Sequence, residues 1–155
     1  MRGLRQLASW GLALFLIFMF VQATLHPVGE AQPGMELLLD PAGENILFHT
    51  MAEKTGLSWL EPEARYAVSV LILVACLLLL IPHSRRTGAI IAVFLMSGAI
   101  AAHLSPEVLG REIPAAIGSE ENDTGRQFSL VTAMFALSML LIFVHPGKKP
   151  ETLRR

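Results

Sequence analysis

The sequence predicts an all-α protein: a four-helix transmembrane bundle forming one membrane domain over residues 1–155, with a short outward amphipathic helix between helices 1 and 2. Three observations predict it. Four runs, residues 7–25, 66–82, 87–106 and 127–147, contain no Asp, Glu, Lys or Arg. Each is about 17 to 21 residues long, and a rise of about 1.5 Å per residue lets such a helix cross a hydrocarbon core of roughly 30 Å. The chain is 53% hydrophobic and 16% charged, a balance that soluble domains rarely carry. The charges between the runs are sorted by sign, and a formal net charge of -1 hides that sorting.

Orientation follows from the flanks. Arg2 and Arg5 precede the first run, Arg85 and Arg86 fill the link between the second and third, and Lys148, Lys149, Arg154 and Arg155 follow the fourth. All of these share one side. The other side holds Lys54, Arg65, Arg111 and Arg126 together with every acidic residue except Glu151. By the positive-inside rule both termini are cytoplasmic. The expected spans are about 4–25, 65–82, 87–105 and 126–146, with outward loops at 26–64 and 106–125 and a cytoplasmic tail at 147–155.

The first run also has the look of a secretory signal, with Val21-Gln22-Ala23 as a cleavage site. It is read as retained, because its apolar stretch exceeds a signal core and an even number of spans matches the basic flanks. After it, residues 26–34 are rich in turn formers and read as irregular. From Asp40-Pro41 the pattern becomes helical, with Asp40 as cap, Pro41 at the first position, Leu47, Phe48, Met51 and Ala52 on one face, and Gly56 as the stop. Such a helix lies on the membrane surface or across the bundle mouth with Glu44, Glu53 and Lys54 toward water. Trp59 and Tyr66, around Glu61-Pro62-Glu63, suit the interfacial aromatic belt.

On the third span Gly88, Ala92, Met96, Ala99 and His103 fall within an arc of roughly 80° at about 100° per residue. Small side chains let membrane helices approach closely, so this face is expected inside the bundle. Ser129, Thr132, Ala133 and Ala136 form a comparable face on the fourth span, and Ser69 and Cys76 align on the second. The link at Arg85-Arg86 makes the second and third helices antiparallel.

The succession Phe48-His49-Thr50-Met51-Ala52-Glu53-Lys54-Thr55-Gly56-Leu57, then Glu61-Pro62-Glu63-Ala64-Arg65, then Leu77-Leu78-Leu79-Leu80-Ile81-Pro82, Thr87-Gly88-Ala89, Met96-Ser97-Gly98-Ala99 and His103-Leu104 resembles the DoxX-like family of small four-helix membrane proteins. The resemblance covers about residues 45–145 and takes in Asp123, Gly125 and Phe128. It implies several different roles: a small subunit of a thiosulfate:quinone oxidoreductase, a component of membrane complexes that handle oxidative stress, or, in distant animal relatives, an assembly chaperone for membrane receptors. The chain departs from the family at Ser69-Val70-Leu71, where many members carry an acidic residue. A role for that carboxylate does not transfer.

The residues narrow the choice. Cys76 is the single cysteine, so a pair of exchanging thiols is absent, and it reads as a small apolar filler. His26, His49 and His103 belong to the outer side and His83 and His145 to the inner, with no two at ligand spacing on one helix, which disfavours haem or a metal. A quinone site asks for an apolar slot and one or two hydrogen-bonding groups. His103, with Ser129 or Thr132 beside it, Phe128 nearby and Arg126 at the mouth, is the candidate. The competing reading has His103 capping its helix or bonding to the outer loop, and Lys54, Arg65 and Arg126 anchoring helix ends or pairing with Glu61, Glu63 and Asp123. With no Asp, Glu, Lys or Arg inside the four apolar runs and no Gly/Pro-broken helices in matching halves, an ion pathway through one chain is disfavoured. The basic tail reads as a topology signal and a contact for anionic lipid, and nothing supports nucleic-acid binding.

The expected function is that of an accessory subunit of a bacterial inner-membrane complex, serving a quinone-linked oxidoreductase, with the lipid bilayer and a membrane protein or a second copy as partners. The alternatives are a quinone-reactive enzyme in its own right and a membrane assembly factor.

Overall fold

A computed structural model describes residues 2–29 and 33–145 of the 155. Glu30, Ala31 and Gln32 of the irregular segment, and the tail with Lys148, Lys149, Glu151, Arg154 and Arg155, lie outside the described residues. Within them the regular structure is helical: α1 (Arg2–Thr24), α2 (Ile46–Thr55), α3 (Glu63–Leu80), α4 (Arg85–Leu104) and α5 (Arg126–Val144), with one 3-10 turn at Ser58–Leu60. A lone bridge joins Pro114 to Asn122 in the last loop. Four of these helices are long and apolar enough to cross a membrane. The chain is a multi-pass membrane protein built as a four-helix bundle with a short helix after the first span.

The long helices form a ring in which α1 packs beside α3 and α5, and α4 beside the same two. Their surfaces invert the soluble pattern. Phe94 is 75% exposed, Phe143 70% and Leu77 62%, and apolar surface of that extent is stable facing hydrocarbon. The loops sort into two ends. The basic end carries Arg5, the link 81–84, Arg86 and His145; the acidic end carries residues 25–62 and 105–125.

Packing is closest near the basic end. A Cβ on Gly88 would stand 2.8 Å from the Leu79 nitrogen and 3.0 Å from the Ala75 carbonyl oxygen, so α3 and α4 touch there backbone to backbone. Ala89 and Ala92 are fully buried in the same seam. The small-residue face of α4 therefore does what its composition indicates, from Gly88 to a buried His103. Ser69 and Cys76 of α3 are buried as well.

The corresponding face of α5 is not packed. Ser129, Thr132, Ala133 and Ala136 are exposed, and Met134, Ser138 and Leu141 are the buried set. The reason is twofold. The hydroxyls of Ser129 and Thr132 bond to the carbonyls of Gly125 and Phe128 in their own helix at 3.0 and 2.8 Å, so they need no neighbour. The opposite face, with Leu130, Met134, Leu137 and Leu141, offers more apolar surface to the bundle core.

The short helix begins later than Asp40-Pro41 suggests. Asn45 is its cap, its side-chain oxygen accepting from the Phe48 N–H at 3.3 Å, while Gly43 at φ 86° turns the chain before it. Asp40 instead accepts from the Asn45 amide at 2.7 Å and holds the cap in place. Gly56, left-handed at φ 71°, ends the helix as expected.

Candidate functional site: an apolar cavity beneath the acidic end

Between the four long helices, in the half of the bundle nearer the acidic end, lies a cavity of about 600 Å³. Its walls are Phe20 of α1, Ile72 of α3, Leu95 and Ala99 of α4, and Leu130 and Val131 of α5, with others beside them. Met19, Met35, Met51, Met96 and Met134 all face it. Unbranched thioether side chains fill irregular space and reshape around apolar guests, so this wall is compliant rather than fixed.

The roof comes from the loops, and two cations fasten it. Lys54 at the end of α2 donates to the carbonyls of Leu109 at 2.6 Å and Pro106 at 3.3 Å, tying α2 to the last loop. Phe48, Met51 and Leu109 are thereby held over the cavity. Arg65 at the start of α3 is fully buried; its Nε donates to both Glu61 oxygens at 2.9 and 2.8 Å. Its Nη1 donates to the Leu37 carbonyl at 2.6 Å, and its Nη2 to those of Asp40 and Pro41 at 3.0 and 3.3 Å. The guanidinium also lies 4.6 Å from the centroid of the Tyr66 ring. Each of its three nitrogens thus has an acceptor in the roof or in Glu61.

Polar side chains in the wall are few: Ser97, bonded to the Val93 carbonyl of its own helix, and His103 and Gln127 at the acidic end. His103 is 2% exposed, and its Nδ1 is 2.8 Å from the Gly110 carbonyl oxygen. A carbonyl can only accept, so Nδ1 donates, and in the Nδ1–H tautomer Nε2 is the acceptor. Its ring packs on Phe128, centroids 5.7 Å apart at 59°, and the Arg111 guanidinium lies 5.7 Å from the Phe128 ring centroid. Gln127 also lines the cavity, with its amide donating to the Pro33 carbonyl. The competing sequence reading of His103, a bond to the outer loop, is what Nδ1 makes; lining the cavity is compatible with it.

The other candidates from the sequence do not join His103. Ser129 and Thr132 are exposed on the far side of α5, and Arg126 is exposed at its first residue; none of the three lines the cavity. Nor does Asp123 pair with Arg126. Its carboxylate accepts from the backbone N–H of Ile113, Gly125 and Gln127 at 3.0, 3.0 and 2.8 Å, closing the last loop onto the start of α5.

No family model, curated protein or solved structure matches the chain.

The cavity has a direction of access. Of the residues lining it, Leu71 on α3 and Phe94, Ser97 and Gly98 on α4 are the exposed ones, and every other lining residue is buried or half-buried. Those four belong to two adjacent antiparallel helices, on their lipid-facing side. A Cβ on Gly98 would meet nothing within 4 Å, whereas one on Gly88 would strike the backbone of α3. The α3–α4 contact is thus closed toward the basic end and open toward the acidic end, which gives the cavity a lateral mouth in the apolar belt. The methionine wall, the mouth and the two buried arginines carry weak signals in the sequence: an uneven spread of Met, a lone Gly98, and Arg65 and Arg85 at the ends of charge-free runs.

Proposed function

We propose that this chain is a DoxX-like bacterial inner-membrane protein that holds a quinone-class amphiphile in its cavity, as an accessory subunit of a quinone-linked oxidoreductase. The single observation that carries the reading is an apolar cavity with a lateral mouth and one hydrogen-bonding histidine at its far end. A volume of about 600 Å³ sits within the roughly 300–1,000 Å³ of ordinary small-molecule sites. A ligand that enters between α3 and α4 comes from the bilayer, so it is lipid-soluble and carries a chain that can remain in the mouth. Its head reaches His103, whose Nε2 accepts from a quinol hydroxyl; the methionines and Phe20 and Phe48 pack on the ring. With the basic end cytoplasmic by the positive-inside rule, the head lies near the outer surface.

Purification of the full chain in mild detergent, followed by solvent extraction and chromatography of bound quinone, tests the proposal. Near-stoichiometric quinone is expected, with a short-chain quinol bound roughly 5- to 10-fold more weakly by His103→Ala, the equivalent of about one hydrogen bond. A Gly98→Trp variant, which plugs the mouth, is expected to copurify without quinone. Absence of quinone from the wild-type protein together with no saturable quinol binding would remove the reading. A copurifying membrane protein at fixed ratio identifies the complex it serves.

A further inference from the structure

The basic end holds a second buried guanidinium, and its surroundings are incomplete. Arg85, the first residue of α4, is 1% exposed. Its Nε donates to the Leu79 carbonyl at the end of α3 at 2.8 Å, its Nη1 donates to Ser9 Oγ of α1 at 3.2 Å, and the Trp10 ring lies 3.8 Å away, measured to its centroid. Ser9 Oγ in turn lies 2.9 Å from His145 Nδ1, just past α5. Arg85 thus ties α4 to α3 and α1 directly, and through Ser9 to the end of α5. Its Nη2, however, is buried and meets no acceptor among the described residues.

Nor does a carboxylate balance the charge. Every described Asp and Glu lies within residues 36–63 or 107–123, at the opposite end of the bundle. Among the described residues Arg85 therefore carries its positive charge on neutral partners, while Arg5 and Arg86 add to the same local potential. A buried cation lacking an anion is a strained arrangement, because neutral dipoles replace only part of the lost hydration. The start of α4 adds to the demand for negative charge. No side chain caps it, because the Ser84 hydroxyl is turned to the carbonyls of Leu78 and Ile81 at 3.1 and 3.3 Å. Its free N–H groups and the positive end of a 20-residue helix dipole stand at the base of the same arginine.

We propose that the basic end binds a phosphate group, carried by a lipid headgroup or free in solution, through Arg85 Nη2 and the uncapped start of α4. Phosphate suits both donors, since it offers several charged acceptor oxygens to a guanidinium edge and to backbone N–H groups together. The position suits a headgroup, as the uncapped start of α4 stands where the spanning helices end and the lipid phosphates lie, with the buried Nη2 behind it. Trp10 on the guanidinium makes the site observable by fluorescence.

The experiment uses the full chain with Trp59→Phe, so that Trp10 is the sole tryptophan reporter, in a neutral maltoside detergent. Three probes are titrated: phosphatidylglycerol, a galactosyl diacylglycerol that has no phosphate, and inorganic phosphate. Phosphatidylglycerol is expected to give a saturable change in Trp10 emission and a raised melting midpoint, and the galactolipid to give neither. Arg85→Lys is expected to weaken the response about tenfold, as loss of a charge-assisted guanidinium contact does. Arg5→Gln and Arg86→Gln are expected to stay within roughly twofold, the range of exposed charges. Inorganic phosphate that reproduces the response with the same Arg85 dependence assigns the site to the free ion; a response confined to phosphatidylglycerol assigns it to lipid. Equal responses to phosphatidylglycerol and galactolipid in the unsubstituted background overturn the proposal even if Arg85→Lys fails to fold. So does a loss of stability in Glu151→Gln equal to that in Arg85→Lys with no phosphate response in the parent chain, which would assign the counter-charge to the protein itself.

Discussion

Arg65 and Arg85 are both buried guanidiniums, each at one end of the helix pair α3–α4, and they are satisfied in opposite ways. Arg65 has a buried carboxylate, three backbone carbonyls and an aromatic ring. Arg85 has one carbonyl, one hydroxyl and an aromatic ring, and an Nη2 with no acceptor among the described residues. The difference teaches how the two ends work. At the acidic end, long loops must be folded over a cavity, and a buried ion pair fixes Leu37, Asp40 and Pro41 against the start of α3. At the basic end, four helix ends converge directly, and the buried charge meets no anion among the described residues.

Removing each arginine separates the two cases, and Arg65 gives the larger effect. Arg65→Met strands Glu61, whose side chain is 3% exposed, and loss of one partner from a buried pair costs about 3–5 kcal/mol. Unfolding in detergent followed by circular dichroism is expected to show that loss. Glu61→Gln combined with Arg65→Met is expected to recover part of it, since the double variant leaves no buried charge alone. If the single and double variants unfold alike, the pair contributes packing only.

Arg85→Met is expected to cost far less. It removes two hydrogen bonds and a cation–π contact but also a buried charge without an anion, and the opposing terms leave a change within about 1 kcal/mol in phosphate-free detergent. The same unfolding assay checks it. A cost matching that of Arg65→Met would mean that Arg85 is already neutralised within the chain, and the contrast between the two ends would collapse.

How far these features could be read from sequence depends on what each one requires. The spans were legible because membrane crossing imposes a long charge-free run, and the α4 seam because close helix approach imposes small residues such as Gly88 and Ala92 on one face. The face of α5 was misread, since Ser129 and Thr132 satisfy themselves within their own helix and so need no interior position. Asp40-Pro41 looked like a helix start because both residues favour one; Asn45 won because Gly43 lets the chain turn first. His103 was found through its periodicity with the α4 seam. The cavity was not, because its wall draws on all four spans and two loops, and no local pattern marks where helices separate. Arg85 looked like a simple topology signal, as charge count does not reveal that Trp10 and Ser9 of another helix close around it.

The smallest expected effect concerns pH, and it sharpens the account of the basic end. His145 lies beyond the last residue of α5, its Nδ1 accepting from Ser9 while the Pro82 carbonyl accepts from its ring. Burial, then the positive charge of Arg85, hold its pKa below the usual value; the Pro82 carbonyl opposes them and Arg86 adds a weaker push downward. Arg5 of α1, bonded at 3.0 Å to the Phe143 carbonyl, is the remaining described cation of this cluster. The folded protein thus prefers neutral His145, whereas the unfolded chain takes up its proton near pH 6.5. Stability from this group is fully present above about pH 6.5 and is lost as pH falls from there through the lower folded pKa, because the unfolded state then binds more protons. The loss is on the order of one hydrogen bond, about 1 kcal/mol, since a protonated Nδ1 can no longer accept from Ser9. Melting midpoints at pH 7.5 and pH 5 for the wild type and His145→Gln measure the difference, which cancels the titration of the other histidines. The wild type is expected to lose more than the variant on acidification. Added phosphate should shrink that loss if it occupies Arg85, because an anion there lowers the repulsion that protonated His145 meets; an unchanged gap would place the anion away from this cluster.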